Sequence, residues 1–260
     1  MQVKSNLILA VSPGDMSEAL ALGAPIAHLS YRVGKGLHLF RSSIPVAARG
    51  GLLAVDDTGF DGRGEATPFC HEVLRECAAR GGAGVVCLFS APPLRSLSEM
   101  LAQLEELLAE RGWPLYVSEP YAPSCKRAKI LIPTALSGGS LRQRLSEAAA
   151  RYTPGRLALW VERVAQDFYL PSPTGQGTPL SQEELRALME ERQPSVFFSD
   201  ELCAHYFTFM SRQNGAHFIL FDDLSSVRKK LHVARSLGIS DALLPYAPFR
   251  DLLPDLLRVP

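Results

Sequence analysis

The stretch His217–Gly238, H-F-I-L-F-D-D-L-S-S-V-R-K-K-L-H-V-A-R-S-L-G, decides the fold class. His217–Phe221 is an apolar run of strand length that ends on two acids, Asp222 and Asp223. From Ser225 to Leu237 a helix is predicted, with Leu224, Val227, Leu231 and Ala234 aligned on one face and Gly238 as its stop. Arg228-Lys229-Lys230 lies in that helix and is read as a solvated face. A buried strand that feeds an amphipathic helix, followed at once by the apolar Ala242–Tyr246, is half of a βαβ unit.

Working outward, the same alternation covers most of the chain. Strands are predicted at Leu7–Ser12, Ile26–Arg32, Leu52–Asp57, Val85–Ser90, Leu115–Glu119, Ala128–Thr134, Leu157–Glu162 and Ala242–Tyr246, eight in all. Most are apolar throughout, as strands covered on both faces are. The helices between them carry punctuation. Asp15-x-x-Glu18 reads as a capping-box-like start, Pro68–Arg80 ends at Gly81-Gly82, Ser96 or Ser98 opens a helix stopped by Gly112, and Ser140–Tyr152 ends before Pro154-Gly155. Eight right-handed units in 260 residues fit a closed (β/α)8 TIM barrel, with residues 1–260 as a single domain. An open doubly wound sheet is the alternative. No G-x-G-x-x-G follows a strand, and Gly59–Gly64 is read as a βα loop.

Tyr169–Phe221 breaks the rhythm between strands seven and eight. It holds a turn-rich loop (170–178), a helix opened by Ser181-x-x-Glu184, and a hairpin, His205–Met210 with His217–Phe221, turning through Asn214-Gly215. Residues 169–221 are therefore expected to form an α+β insertion carried on the barrel. Its aromatics, Phe197, Phe198, Tyr206, Phe207, Phe209, Phe218 and Phe221, are read as its small core or as a stacking platform.

Composition narrows the function classes. Lys+Arg and Asp+Glu are both 27, so no basic surplus points to nucleic acid. The five cysteines are scattered without C-x-x-C spacing, as expected of reduced, buried thiols in the cytoplasm. No secretory core precedes the first strand, and no apolar run approaches the ~20 residues of a membrane span. The six histidines have no H-x-x-x-H spacing, so neither a metal nor another cofactor is expected. No G-x-S-x-G elbow appears, and Asp57-Thr58-Gly59 sits in a βα context unlike that of an aspartic protease.

Asp223-x-x-Ser226-Val227-x-x-Lys230-Leu231 resembles the D-x-x-S-φ-x-x-K-φ segment that precedes the last barrel strand in glycoside hydrolase family 18, the chitinase and spore-cortex-lysin family. The resemblance is firmest over Ala204–Tyr246, topological over Gly51–Phe168, and absent before Gly51. It implies substrate-assisted hydrolysis of N-acetylated sugars, with a glutamate at the end of strand four as acid and an aspartate two residues earlier orienting the acetamido group. The family pattern D-G-φ-x-φ-D-x-E falls on Ala83-Gly84-Val85-Val86-Cys87-Leu88-Phe89-Ser90. The glycine and the apolar positions persist, whereas the orienting aspartate is Leu88 and the acid is Ser90. The strand-six M-x-Y-D/N motif falls near Leu131-Ile132-Pro133-Thr134 without its tyrosine or acid, and the strand-eight tryptophan falls near Pro245-Tyr246. Loss of a positioned general acid removes ~10²–10⁴-fold in rate.

Three functional readings follow. In the first, a barrel resembling family 18 binds a saccharide or small polar ligand without the inherited hydrolysis. Its expected site residues are Asp56, Asp57, Ser90, Glu119, Tyr121, Glu162 and Tyr246, all at strand ends where a barrel of this type carries its site. In the second, Glu119 with Asp56 or Asp57 acts as a relocated carboxylate pair on N-acetylglucosamine-type glycans. In the third, the insertion docks a protein partner and the chain is not an enzyme.

Overall fold

The computed structural model describes residues 6–42, 48–136, 138–171, 175–211 and 215–258. The chain opens with β1 (Asn6–Val11), α1 (Met16–Ala21), the hairpin β2 (Ile26–Gly34) and β3 (His38–Arg41), then β4 (Leu52–Asp56) and α2 (Ala66–Arg80). It continues through β5 (Val85–Leu88), α3 (Arg95–Ala109), β6 (Leu115–Ser118), β7 (Lys129–Pro133), α4 (Leu141–Tyr152) and β8 (Leu157–Trp160). Next come β9 (Ala165–Leu170), β10 (Thr178–Pro179), α5 (Gln182–Arg192), β11 (Phe197–Ser199), β12 (Ala204–Met210) and β13 (Ala216–Phe221). The last elements are α6 (Leu224–Ser236), β14 (Asp241–Pro245), α7 (Tyr246–Phe249) and α8 (Leu253–Leu257).

Strands β1, β2, β4, β5, β6, β7, β8 and β14 pair in parallel, and β1 pairs with both β14 and β2, so the ring closes. This is a (β/α)8 barrel, and those strands are its strands one to eight. The open-sheet alternative is excluded by that closure. Apolar runs without alternation fit the ring because each strand faces the barrel interior on one side and helices on the other. Ile8, Ala27, Ala54, Val86, Leu131, Ala158 and Leu243 fill the interior. Leu9, Val55, Cys87, Val117, Ile132 and Leu244 alternate with them and pack under α2, α3, α4 and α6.

Helix starts differ from expectation in two places. Asp15 makes no capping bond to α1, because its carboxylate is taken by the Ser12 hydroxyl at 2.6 Å and by Arg250. Ser96 and Ser98 lie inside α3, which starts at Arg95 after Leu94. Ser181 and Asp223 do form reciprocal capping boxes, with Glu184 and Ser226. From α3 the Glu105 carboxylate accepts the backbone N–H groups of Lys126, Arg127 and Ala128 at 2.8, 2.8 and 2.6 Å, which fixes the chain entering β7.

Between strands seven and eight lies an antiparallel sheet ordered β10-β9-β13-β12-β11, with α5 on one face. The turn through Asn214 lies outside the described residues. Where this unit rejoins the barrel, Asp222 and Lys230 form an ion pair of 2.6 Å with side chains 0% and 1% exposed. The Asp222 carboxylate also accepts Val164 N–H at 2.8 Å and the Ser226 hydroxyl at 2.7 Å. The lysine of the D-x-x-S-φ-x-x-K segment thus pairs with Asp222, and Asp223 serves as the cap of α6. The segment clamps the exit of β13 to the chain leaving strand seven.

Candidate functional site

The C-terminal ends of the barrel strands form a mouth with an apolar floor. Leu29, Leu88 and Trp160 are partly buried there against the interior cluster. Register puts Arg32 beside Asp56, and Asp56 beside Leu88, on strands two, three and four. Asp56 alternates with the interior-facing Leu52 and Ala54, so its side chain also turns to the mouth. Leu88, the residue on which the resemblance leads one to expect the orienting aspartate, is part of the floor.

Strand four, expected to reach Ser90, ends at Leu88, and Ser90 follows it in the βα loop. Ser90 is exposed, and its N–H and hydroxyl both donate to the Asp57 carboxylate, at 3.0 to 3.2 Å. An alkyl hydroxyl cannot supply a proton near neutrality as a carboxylic acid can. Asp56 accepts one bond, from Thr58 N–H at 2.8 Å, and is half-buried. Asp57 and Ser90 are brought together; Asp56 joins them on the same side of the mouth.

The other expected residues are distributed around the rim. Glu119 is ion-paired with Arg144 of α4 at 2.6 Å. Tyr121 is fully buried, its hydroxyl accepts Leu94 N–H at 3.1 Å, and its ring lies edge-on to Phe89. Burial is the main reason its hydroxyl titrates above the ordinary tyrosine range. Tyr246 is also buried and donates to Glu18 at 3.2 Å, with Arg250 over its ring. Glu162, at the end of strand seven, accepts Ala135 N–H at 3.1 Å and lines a cleft of about 350 Å³.

That cleft lies between the loops leaving strands six, seven and eight and the antiparallel sheet. Its walls are Ala135, Glu162, Arg163, Gln166, Gln182 and Pro248, among others. It joins the ends of strands six, seven and eight to β9 and the start of α5. Arg163 is held by a bidentate pair with Asp251, at 2.5 and 3.1 Å, and donates to Pro248 O at 2.7 Å. Sequence reasoning did not single out Trp160, Gln166 or Gln182. The signal for Trp160 was there: an aromatic closing a barrel strand, at the parity of the interior residue Ala158.

Other chemistries find little support among the described residues. No cluster of three or more His, Cys, Asp or Glu side chains could hold a metal ion. All five cysteines are buried. Burial pushes the thiols of Cys70, Cys77 and Cys125 up to about 12 and raises Cys87 and Cys203 as well, so they stay protonated and poorly nucleophilic. No helix is long and apolar enough to cross a membrane.

No family model matches the chain, and no curated protein matches it. Solved structures do. A chitinase from Chromobacterium violaceum superposes with a TM-score of 0.71 at 12% identity, covering 98% of this chain and 100% of that one. The spore cortex-lytic enzyme SleL of Bacillus megaterium gives 0.68 at 11% identity, covering 94% and 71%. A glycoside hydrolase family 18 chitinase from Cycas revoluta, solved with (GlcNAc)3, gives 0.67 at 11%, covering 97% and 98%. The chain therefore has the (β/α)8 barrel fold of family 18 chitinases and SleL-type spore cortex-lytic enzymes.

Proposed function

We propose that the mouth of this barrel binds a saccharide without the hydrolysis associated with its fold neighbours. The observation that carries this reading is the end of strand four. Leu88 lies in the apolar floor, and Ser90 spends its hydroxyl on Asp57, so the two positions that would orient an acetamido group and protonate a leaving oxygen carry no acid. What remains suits binding: a partly exposed indole, Trp160, for ring stacking, and carboxylates at Asp56 and Glu162 with acceptor capacity left over. One Cycas revoluta neighbour was solved with (GlcNAc)3, so oligomers of N-acetylglucosamine are the first ligands to try.

In this reading Asp56, Asp57, Ser90 and Glu162 contact the ligand. Glu119, Tyr121 and Tyr246 hold the rim through Arg144, Leu94 and Glu18. The Arg144 guanidinium holds the Glu119 carboxylate at 2.6 Å and ties it to α4, which disfavours Glu119 as a relocated catalytic group. The barrel and its insertion act as one domain of 260 residues.

Calorimetric titration with chito-oligosaccharides tests the reading. The wild type should bind, and Glu162→Ala and Trp160→Ala should each weaken binding about tenfold or more, on the order of 1.4 kcal/mol. Absence of binding by the wild type, or variants that bind equally well, would remove the mouth as the site.

A further inference from the structure

The two edges of the antiparallel sheet are finished differently. β10, at one edge, is Thr178–Pro179, and a proline has no N–H to offer a further strand. β11, at the other, is Phe197–Ser199, preceded by Val196. Val196, Phe197 and Phe198 are 39%, 54% and 37% exposed, three consecutive large apolar side chains on an open edge. From Ser195 to Ser199 the chain carries no charge and no proline, so of the usual devices that keep an edge from pairing only the shortness of the three-residue strand is present.

The side chains on this edge end two aromatic series. On the face away from α5, Phe197, Tyr206, Phe218 and Phe168 follow one another across four strands, with ring centroids 5.6, 5.2 and 6.1 Å apart. Phe197–Tyr206 and Tyr206–Phe218 are inclined by only 30° and 25°, so these rings lie face to face along the sheet and do not present a flat platform outward. The outer face of Phe197 is left without a neighbouring strand. On the other face, Phe198 packs edge-on to His205 at 4.9 Å, and His205 stacks on Phe221. A sixth strand that continued both series would need an aromatic on one face and apolar residues beside it on the other.

We propose that β11 is a self-association edge, at which a second copy of this chain adds its own β11 antiparallel about a two-fold axis. β11 supplies what the next strand requires. Pairing centred on Phe197 places the two Phe197 rings opposite each other on one face, and Val196 opposite Phe198 on the other. Ser195 then faces Ser199, so no like charges meet. A two-fold axis perpendicular to the sheet satisfies both copies with one interaction and leaves no new edge exposed. A pairing this short buries less than a standard interface of about 1,200–2,000 Å², so the dimer is weak and concentration-dependent. This inference stands independently of what the barrel mouth binds.

Sedimentation velocity over a concentration series is the first test. The wild type should pass from monomer to dimer, and Phe197→Lys should shift that transition by at least about tenfold. Met210→Lys, an equally exposed site on the same sheet but away from β11, should leave the transition where it is. Circular dichroism melts confirm that each variant folds. Register is tested by cysteine cross-linking, with the five native thiols buried. Phe197→Cys should give a covalent dimer under mild oxidation, since opposed residues sit about 4.5–5.5 Å apart. Ser199→Cys should not, since its two copies would be roughly 14 Å apart. A wild type that remains monomeric to its solubility limit would overturn the proposal and leave the edge to a different partner. A Phe197→Lys dimer as tight as the wild type, or cross-linking at 199 but not at 197, would overturn it equally.

Discussion

At the N-terminal end of the barrel, Asp241 is 3% exposed and accepts four hydrogen bonds, from Asn6, Ser240, Tyr116 and Lys129. At the C-terminal end, Asp56 accepts one from Thr58, and Glu162 one from Ala135. Both ends carry carboxylates that turn inward or line the opening; at the C-terminal end Asp57 and Glu119 are engaged by Ser90 and Arg144, while Asp56 and Glu162 keep most of their acceptor capacity. A buried carboxylate has to be satisfied within the protein, because water cannot reach it. A half-exposed carboxylate keeps water on its remaining lone pairs, and a ligand hydroxyl can replace that water. Unspent acceptor capacity, more than the presence of acids, separates the end that holds the barrel together from the end that can bind.

The junction of barrel and insertion belongs with the spent group and gives the largest expected effect. Lys230→Ala leaves Asp222 buried without its counter-charge, and loss of about 3–5 kcal/mol should appear in chemical denaturation. Lys230→Met, which removes the charge but keeps the bulk, still leaves Asp222 unpaired and should fall in the same range. A change below about 1 kcal/mol would mean that the clamp does not hold the junction.

Asp241 comes next. Burial works to raise its carboxyl, but hydrogen bonds from Lys129, Asn6 and Tyr116, with the lysine charge, hold it below the usual carboxylate value. A carboxyl lowered on folding stabilises the protein above its unfolded value near 3.9 and loses that contribution as pH falls through the folded value. Asp241→Asn should cost about 1–3 kcal/mol at neutral pH. It should also flatten the loss of stability below about pH 4, measured as melting temperature against pH. A wild-type profile unchanged by the substitution would place the acid sensitivity elsewhere.

The smallest effect is expected at the mouth. Ser90 is exposed, and Ser90→Ala removes one hydroxyl from Asp57 while the backbone N–H bond remains. Stability should stay within about 0.5 kcal/mol of the wild type. A large loss would move Ser90 from the unspent end of the barrel to the spent one.

The strands of the barrel were legible because each is a short apolar run bounded by turns, and a strand buried on both faces leaves that mark. Each predicted barrel strand lies within two residues of its observed limits, from Asn6–Val11 to Asp241–Pro245. The hairpin strand His38–Arg41 was not legible, because it is mostly exposed and lacks an apolar pattern. Asp15 does stand at the N-cap of α1, but its carboxylate makes no capping bond because Ser12 and Arg250, the latter distant by 235 residues, take it; α3 starts at Arg95, one residue before Ser96. Lys230 was read with Arg228 and Lys229 as a solvated face, but it is 1% exposed and paired with the buried Asp222. Asp222 and Asp223 are adjacent, and only the parity of β13 decides which one turns inward. Ser90 was expected to close strand four and instead follows it, two residues beyond Leu88. Its bonding to Asp57 depends on neighbouring strands and was not legible.

Release of the chromophore from a chromogenic N-acetylglucosamine oligomer tests the central claim most directly. The wild type is predicted to release none above the buffer rate while still binding the unmodified oligomer in titration. Turnover by the wild type that disappears in Asp57→Asn would contradict the account, because it would show that strand three supplies the acid that strand four lacks.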